Sequence, residues 1–222
     1  METTGNSGAA IRATLTGDNR NNVIEGTNLA DVLYGGDGND RLFGRKGDDR
    51  LYGGKGKDFL DGGDGDDLAS GGEGRDYLFG GRGHDRLYGN ADQDVIYGGL
   101  GFDQLYGGDD RDKLFGDSGS DTISGNTGDD FVYGGAGDDQ LSGAEGNDRI
   151  YGGLGIDFII GDEDNDLIYG GEGGDLIYGD TIRSISNEDY DEYSGDDRVY
   201  GGKGNDRIHG GSGTDQLYGD AG

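Results

Sequence analysis

Along most of the chain an aliphatic residue returns every nine positions in a background rich in glycine and aspartate. The series runs Leu33, Leu42, Leu51, Leu60, then Leu78, Leu87, Ile96, Leu105, Leu114, Ile123, Val132, Leu141, Ile150, Ile159, Ile168 and Ile177. It resumes at Val199, Ile208 and Leu217, and Ala69 is the one small residue in its register. A degenerate copy at Asn22, Ile24 and Gly26 extends the series one step earlier. Each aliphatic and its two flanks are too few for a helix but enough for a minimal strand, the middle side chain turned in and its neighbours out.

Two residues ahead of the aliphatic stands an aspartate, unbroken in register from Asp31 to Asp175 and again at Asp197, Asp206 and Asp215. Four residues beyond each aspartate there is glycine, from Gly35 to Gly219, so the unit reads G-G-x-G-x-D-x-U-x with U aliphatic. Glycine takes positive φ without steric cost, which lets G-G-x-G turn tightly. One strand and one turn cannot close a coil, whereas two repeats give a coil with a strand on each face. Such coils stack at roughly 4.8 Å, the spacing of paired strands. The pattern predicts an all-β, right-handed parallel β-roll (a β-solenoid), two nine-residue repeats per coil, about ten coils and roughly 50 Å long.

The period also divides the chain. Residues 1–16 are expected to form a tail or cap and 17–180 the roll. Residues 181–194, TIRSISNEDYDEYS, break the register: Asp175 and Asp197 stand 22 apart, which fits either a thirteen-residue loop or a degenerate repeat with four extra residues. Residues 195–222 resume the roll and stop inside a turn, from which flanking domains in a longer parent protein are expected.

Composition narrows the chemistry. With 54 glycines, 47 acidic residues, 30% hydrophobic residues and a net charge of −29, the chain cannot build an ordinary globular core. Each interior glycine costs a helix roughly 1 kcal/mol, so long helices are excluded. The charge repels nucleic acid and anionic membranes and attracts cations. Cysteine is absent, so there is no disulfide framework or thiol nucleophile. No apolar run is long enough to span a membrane, and residues 1–17 lack the basic and apolar regions of a Sec signal.

Eleven turns keep all three glycines and the aspartate, as in Gly35, Gly36, Gly38 and Asp40. In this the chain resembles the RTX (repeats-in-toxin, haemolysin-type calcium-binding) proteins over about residues 17 to 222. In that family the first six residues of each repeat form a turn, and calcium sits between turns of neighbouring coils. The resemblance implies calcium ligation by Asp31, Asp40, Asp49, Asp58, Asp67, Asp76, Asp85, Asp94, Asp103, Asp112, Asp121, Asp130, Asp139, Asp148, Asp157, Asp166, Asp175, Asp197, Asp206 and Asp215. It implies the same for the second and third glycines of the eleven complete turns. These are Gly36 and Gly38, Gly54 and Gly56, Gly63 and Gly65, Gly72 and Gly74, Gly81 and Gly83, Gly99 and Gly101, Gly135 and Gly137, Gly153 and Gly155, Gly171 and Gly173, Gly202 and Gly204, and Gly211 and Gly213. It further implies export by type I secretion to the outside of the cell.

The residues themselves favour the same ion. Calcium takes six to eight oxygens in flexible geometry, and a glycine turn offers carbonyls beside the aspartate carboxylate. Zinc and copper want nitrogen or sulfur, and magnesium keeps its waters in a tighter octahedron. At one ion per stacked turn, about 15 to 18 calcium ions would offset the −29. About twenty buried aliphatics fall far short of the entropy of ordering some 200 residues, so the chain is expected to be unfolded without calcium and folded with it. Asp162, Asp164 and Asp166 mimic the start of an EF-hand loop, but Leu167 and Gly173 stand where its glycine and glutamate belong. Other turns replace the second glycine (Arg45, Asn90, Asp117, Asn126, Ala144, Asp162) or the third (Asp92, Asp110, Asp164).

Tyrosine or phenylalanine often follows the aliphatic, and such rings are expected to stack outward, covering glycines; a glycan or cell-surface platform is the alternative. Arg41, Arg50, Arg86, Arg149, Arg198 and Arg207 are expected to pair with the acidic face. Catalysis has little support: His84 and His209 fall about 30 Å apart in the roll, and no nucleophile elbow, zinc helix or phosphate loop is present. The sequence thus reads as a secreted, non-catalytic calcium-binding repeat domain. The alternative is a noncatalytic module of a secreted enzyme (protease, lipase or alginate epimerase) or of an adhesin.

Overall fold

The computed structural model describes residues 13–180 and 195–219. It is a parallel β-solenoid whose strands alternate between two eleven-stranded sheets, an odd sheet from β1 (Thr14–Thr16) to β21 (Arg207–His209) and an even one from β2 (Val23–Glu25) to β22 (Gln216–Tyr218). It therefore has eleven coils, one more than the period predicts. The first coil joins β2, the degenerate copy that the period anticipates, to β1, which lies ahead of the boundary expected at residue 17; each pairs with the corresponding strand of the next coil. Residues 181–194 lie outside the described residues, but their flanks are informative. β18 (Leu167–Glu172) pairs directly with β20 (Arg198–Lys203), matching Leu167 to Arg198 across 31 residues where neighbouring coils are 18 apart. β19 (Leu176–Tyr178) likewise meets β21, so the described strands pair in unbroken succession with thirteen more residues between partners than elsewhere.

The core is one column per sheet. The aliphatic at the centre of each x-U-x from Leu33 to Val199 is at most 2% exposed, whereas Ile208 is half-buried and Leu217 is exposed at the end of the even sheet. Ala69 stacks between Leu51 and Leu87 in the same register. The strands are longer than the tripeptide predicts. Most span six residues, as in β3 (Val32–Asp37), because identical turns stacked on one another also bring their second and third residues into register, Gly36 on Gly54 and Asp37 on Lys55. The fourth turn residue continues the ladder: Gly38 N–H donates to the Lys55 carbonyl at 2.8 Å.

All nine non-glycine residues with positive φ are the substituted turn positions, from Asp117 at 69° to Arg45 and Asn90 at 82°. The turn shape is therefore retained where glycine is missing. Asn and Asp tolerate this region, while Arg45 and Ala144 are strained there.

The outer faces differ. On the even sheet Phe43, Phe59, Phe79, Tyr97, Phe115, Phe131, Tyr151, Tyr169, Tyr200 and Tyr218 form one continuous column with centroids 4.7–5.8 Å apart. On the odd sheet Ser70, Ser124 and Ser142 interrupt the rings, leaving short stacks such as Tyr88 on Tyr106. The expected pairing of the strand arginines with acids is not what is found. Ion pairs among the described residues link exposed turn residues of successive coils, such as Lys55 with Glu73 and Arg111 with Asp129. Arg41 instead lies over the rings of Phe43 and Phe59.

Relief of backbone strain gives a test. Ala144→Gly should stabilise the calcium-loaded chain by about 0.5 to 1 kcal/mol, less than the full left-handed penalty because glycine gains freedom when unfolded. Differential scanning calorimetry should show a higher Tm, and a lower one would contradict the assignment of strain.

Candidate metal centre

The solenoid sorts the twenty register aspartates into two columns of ten, one along each edge. Asp31, Asp49, Asp67, Asp85, Asp103, Asp121, Asp139, Asp157, Asp175 and Asp206 precede odd strands, and Asp40 through Asp166 in steps of 18, then Asp197 and Asp215, precede even ones. They do not project into solvent. Asp31 to Asp175 and Asp197 are at most 3% exposed.

Each carboxylate uses Oδ1 to receive the backbone N–H of the corresponding residue one coil earlier: Asp31 N–H to Asp49, Asp49 N–H to Asp67, and so on, at 2.6–3.1 Å. The two ladders start from Ala13 and Asn22, whose amides donate to Asp31 and Asp40. Bonds of opposite polarity run through the residue before many of the aspartates, where that residue's side chain accepts. There Lys57 N–H donates back to Asn39 Oδ1, His84 N–H to Asp66 Oδ1 and Phe102 N–H to His84 Nδ1.

The second oxygen is different. Oδ2 of eighteen of the twenty aspartates, from Asp40 to Asp175 together with Asp197 and Asp206, is buried and accepts no hydrogen bond from the protein. A buried carboxylate oxygen left bare is costly, and the carboxylates of successive coils repeat at about 4.8 Å, where two charges repel by roughly 3 to 4 kcal/mol at an effective dielectric of about 20. The bare oxygen lies against the first glycine of its own turn. A Cβ on Gly98 would stand 2.6 Å from Asp103 Oδ2 and 2.9 Å from the Gly116 carbonyl oxygen of the next coil, so carboxylate and carbonyl oxygens converge there. Among the described residues no three His, Cys, Asp or Glu side chains converge, so any cation must complete its shell with backbone carbonyls. An all-oxygen set of one buried carboxylate and flexible carbonyls fits calcium and not zinc.

The predicted glycines occupy the bends of these turns. The second and third of each complete turn have φ between 100° and 147°, and a side chain on either would strike the backbone of the preceding coil, as Gly36 O stands in the way at Gly54. One further buried carboxylate was not signalled by the register. Asp180, in a second-glycine position, is 1% exposed and accepts the Ser212 N–H at 2.8 Å.

Burial pushes the ladder carboxyls from Asp49 to Asp175 and that of Asp197 up, the donated N–H pulls them partly back, and neighbouring carboxylates push further. They reach about 6 at Asp49, Asp58 and Asp139. They reach about 7 at Asp67, Asp76, Asp85, Asp121, Asp130, Asp157 and Asp197. Asp94, Asp112 and Asp148 rise to about 8, and Asp166, beside Asp148, Asp197 and Asp180, to about 9. A metal-free folded chain therefore binds more protons than the unfolded one. This contribution to stability is fully present below about pH 4 and is lost as pH rises through the folded values, about 6 to 9. In chelator, far-UV circular dichroism should show β-structure in acid that is lost as the pH approaches neutrality and does not return up to pH 9; β-structure that grows with pH would contradict this assignment.

The family model for the RTX calcium-binding nonapeptide repeat (4 copies) matches residues 16–51, 34–69, 44–78, 70–105, 88–123, 106–141, 115–150, 151–181 and 193–222. A comparison with curated proteins finds no match.

Proposed function

This chain belongs to the RTX calcium-binding nonapeptide repeat family, and we propose that the bare carboxylate oxygens of its aspartate ladder are the device by which calcium folds it outside the cell. The observation that carries this reading is the set of eighteen buried Oδ2 atoms without a protein donor. Calcium would be held by Oδ2 of the ladder aspartates together with carbonyls of the glycine turns, and when bound it supplies the positive charge that the columns lack. Aspartate Oδ1 atoms would hold successive coils in register whether or not the ion is present. Because the core is only one aliphatic wide in each sheet, ion binding and folding become one equilibrium.

The family is typically a structural calcium-binding module of secreted proteins, which supports a non-catalytic role outside the cell, where calcium is abundant. The histidines support no shared site. His84 lies beside Asp85 on the odd edge, and His209 on β21, six strands further along the same sheet, stacks on Tyr178. A flat glycan platform is not supported by the aromatic column either. Its best-stacked rings, at 4.7–5.0 Å and 5–10°, spend their faces on one another and turn edges outward.

At neutral pH in chelator the chain should be unfolded, and calcium but not magnesium at equal concentration should restore the β signal in far-UV circular dichroism. Strong β-structure in excess chelator at neutral pH would refute the proposal. Asp112→Asn keeps the Oδ1 acceptor but replaces the bare oxygen with an amide. It should cost about 2 kcal/mol in saturating calcium, and in chelator it should ease folding by removing a buried charge. Chemical denaturation under both conditions reads the opposite signs, and equal signs would contradict the assigned role.

A further inference from the structure

Resting on the calcium reading above, we infer that the first coil, residues 13–31, is closed by protein groups alone and takes no ion at its aspartate. Asp31 is as buried as the rest of its column, at 1% exposure, yet both of its oxygens are used. Oδ1 accepts the Ala13 N–H at 2.7 Å, and Oδ2 accepts the Thr27 N–H at 2.6 Å and the Thr27 hydroxyl at 2.8 Å. The Thr27 oxygen in turn accepts the Leu29 N–H at 3.2 Å. Directly beneath, Asp49 takes the Asp31 N–H on Oδ1 and has no donor on Oδ2.

The sequence explains the difference. Thr27 and Leu29 stand where the other turns carry their second and third glycines, and neither has positive φ. The amide of the second turn residue thereby swings onto the side chain that closes the turn. The same device appears at the other edge of this coil, where Asp18 N–H donates to Asn22 Oδ1 at 2.8 Å. Asn22 is neutral, so that turn has no buried carboxylate at the register position to call for a cation; its one acid, Asp18, is exposed and accepts the Arg20 N–H. Two turns on opposite edges have thus replaced the ion with an amide hydrogen bond. The first coil is a metal-independent template on which the ion-dependent coils stack, in the manner of a capping repeat.

Calcium counting on the full chain by equilibrium dialysis and atomic emission tests this. Asp31→Asn should leave the number of bound ions unchanged, while Asp49→Asn lowers it by at least one; an equal loss in both variants would overturn the inference. Thr27→Val removes the hydroxyl donor and keeps a β-branched side chain. It should leave the ion count unchanged and lower Tm by roughly 2 to 4 °C. An unchanged Tm, or a changed ion count, would overturn it. A wild-type chain that binds no calcium would refute the wider reading, and the Thr27→Val melting shift would still decide whether this turn is closed by Thr27.

Discussion

The structure depends on a carboxylate held in the protein interior with one oxygen anchored and the other bare. Anchoring is the lesser part: a backbone N–H from the preceding coil reaches Oδ1 of every ladder aspartate from Asp31 to Asp215 and fixes the side chain. The bare Oδ2, repeated eighteen times in two columns, is what an isolated chain cannot tolerate once ionised. A proton or a hard cation relieves it, and the two compete for the same atom. On the proposed reading, acid and calcium are alternative routes to one fold.

A stack of nearly identical coils turns this local demand into a cooperative property. Each coil touches only its neighbours, and its aspartates are oriented by the amides of the coil before. Counter-running bonds through residues such as Asn39, Asp66 and His84 tie the turns together from the other direction. Ordering one coil therefore prepares the next, the behaviour expected of a one-dimensional array. The interruption between Gly179 and Gly195 does not break it, since the Asp166 amide still finds Asp197 Oδ1 at 2.9 Å.

Periodicity made the architecture legible, because a nine-residue unit with one inward side chain admits few closures. The family, the two sheets and the burial of the aliphatics from Leu33 to Val199 follow from it. What the repeat unit could not convey is anything that depends on the coil above or below. That an aspartate in a glycine turn would be buried, with its oxygens doing different work, is a relation between residues 18 apart. The continuous aromatic column was legible in principle, by reading alternate repeats separately: Phe79, Tyr97 and Phe115 share one sheet, whereas Tyr106 is followed on the other by Ser124. Thr27 and Leu29 also stood in plain view as departures from glycine, but their consequence for Asp31 is a matter of hydrogen-bond direction.

Anomalous diffraction from crystals grown in calcium tests the central claim most directly. The account predicts ions at about 2.3–2.6 Å from Oδ2 of Asp49, Asp67, Asp85 and their counterparts along both edges, with carbonyl oxygens of the glycine turns completing each shell. An ordered solenoid in which those Oδ2 atoms touch no ion, with calcium confined to outer carboxylates such as Asp109 or Glu145, would contradict it.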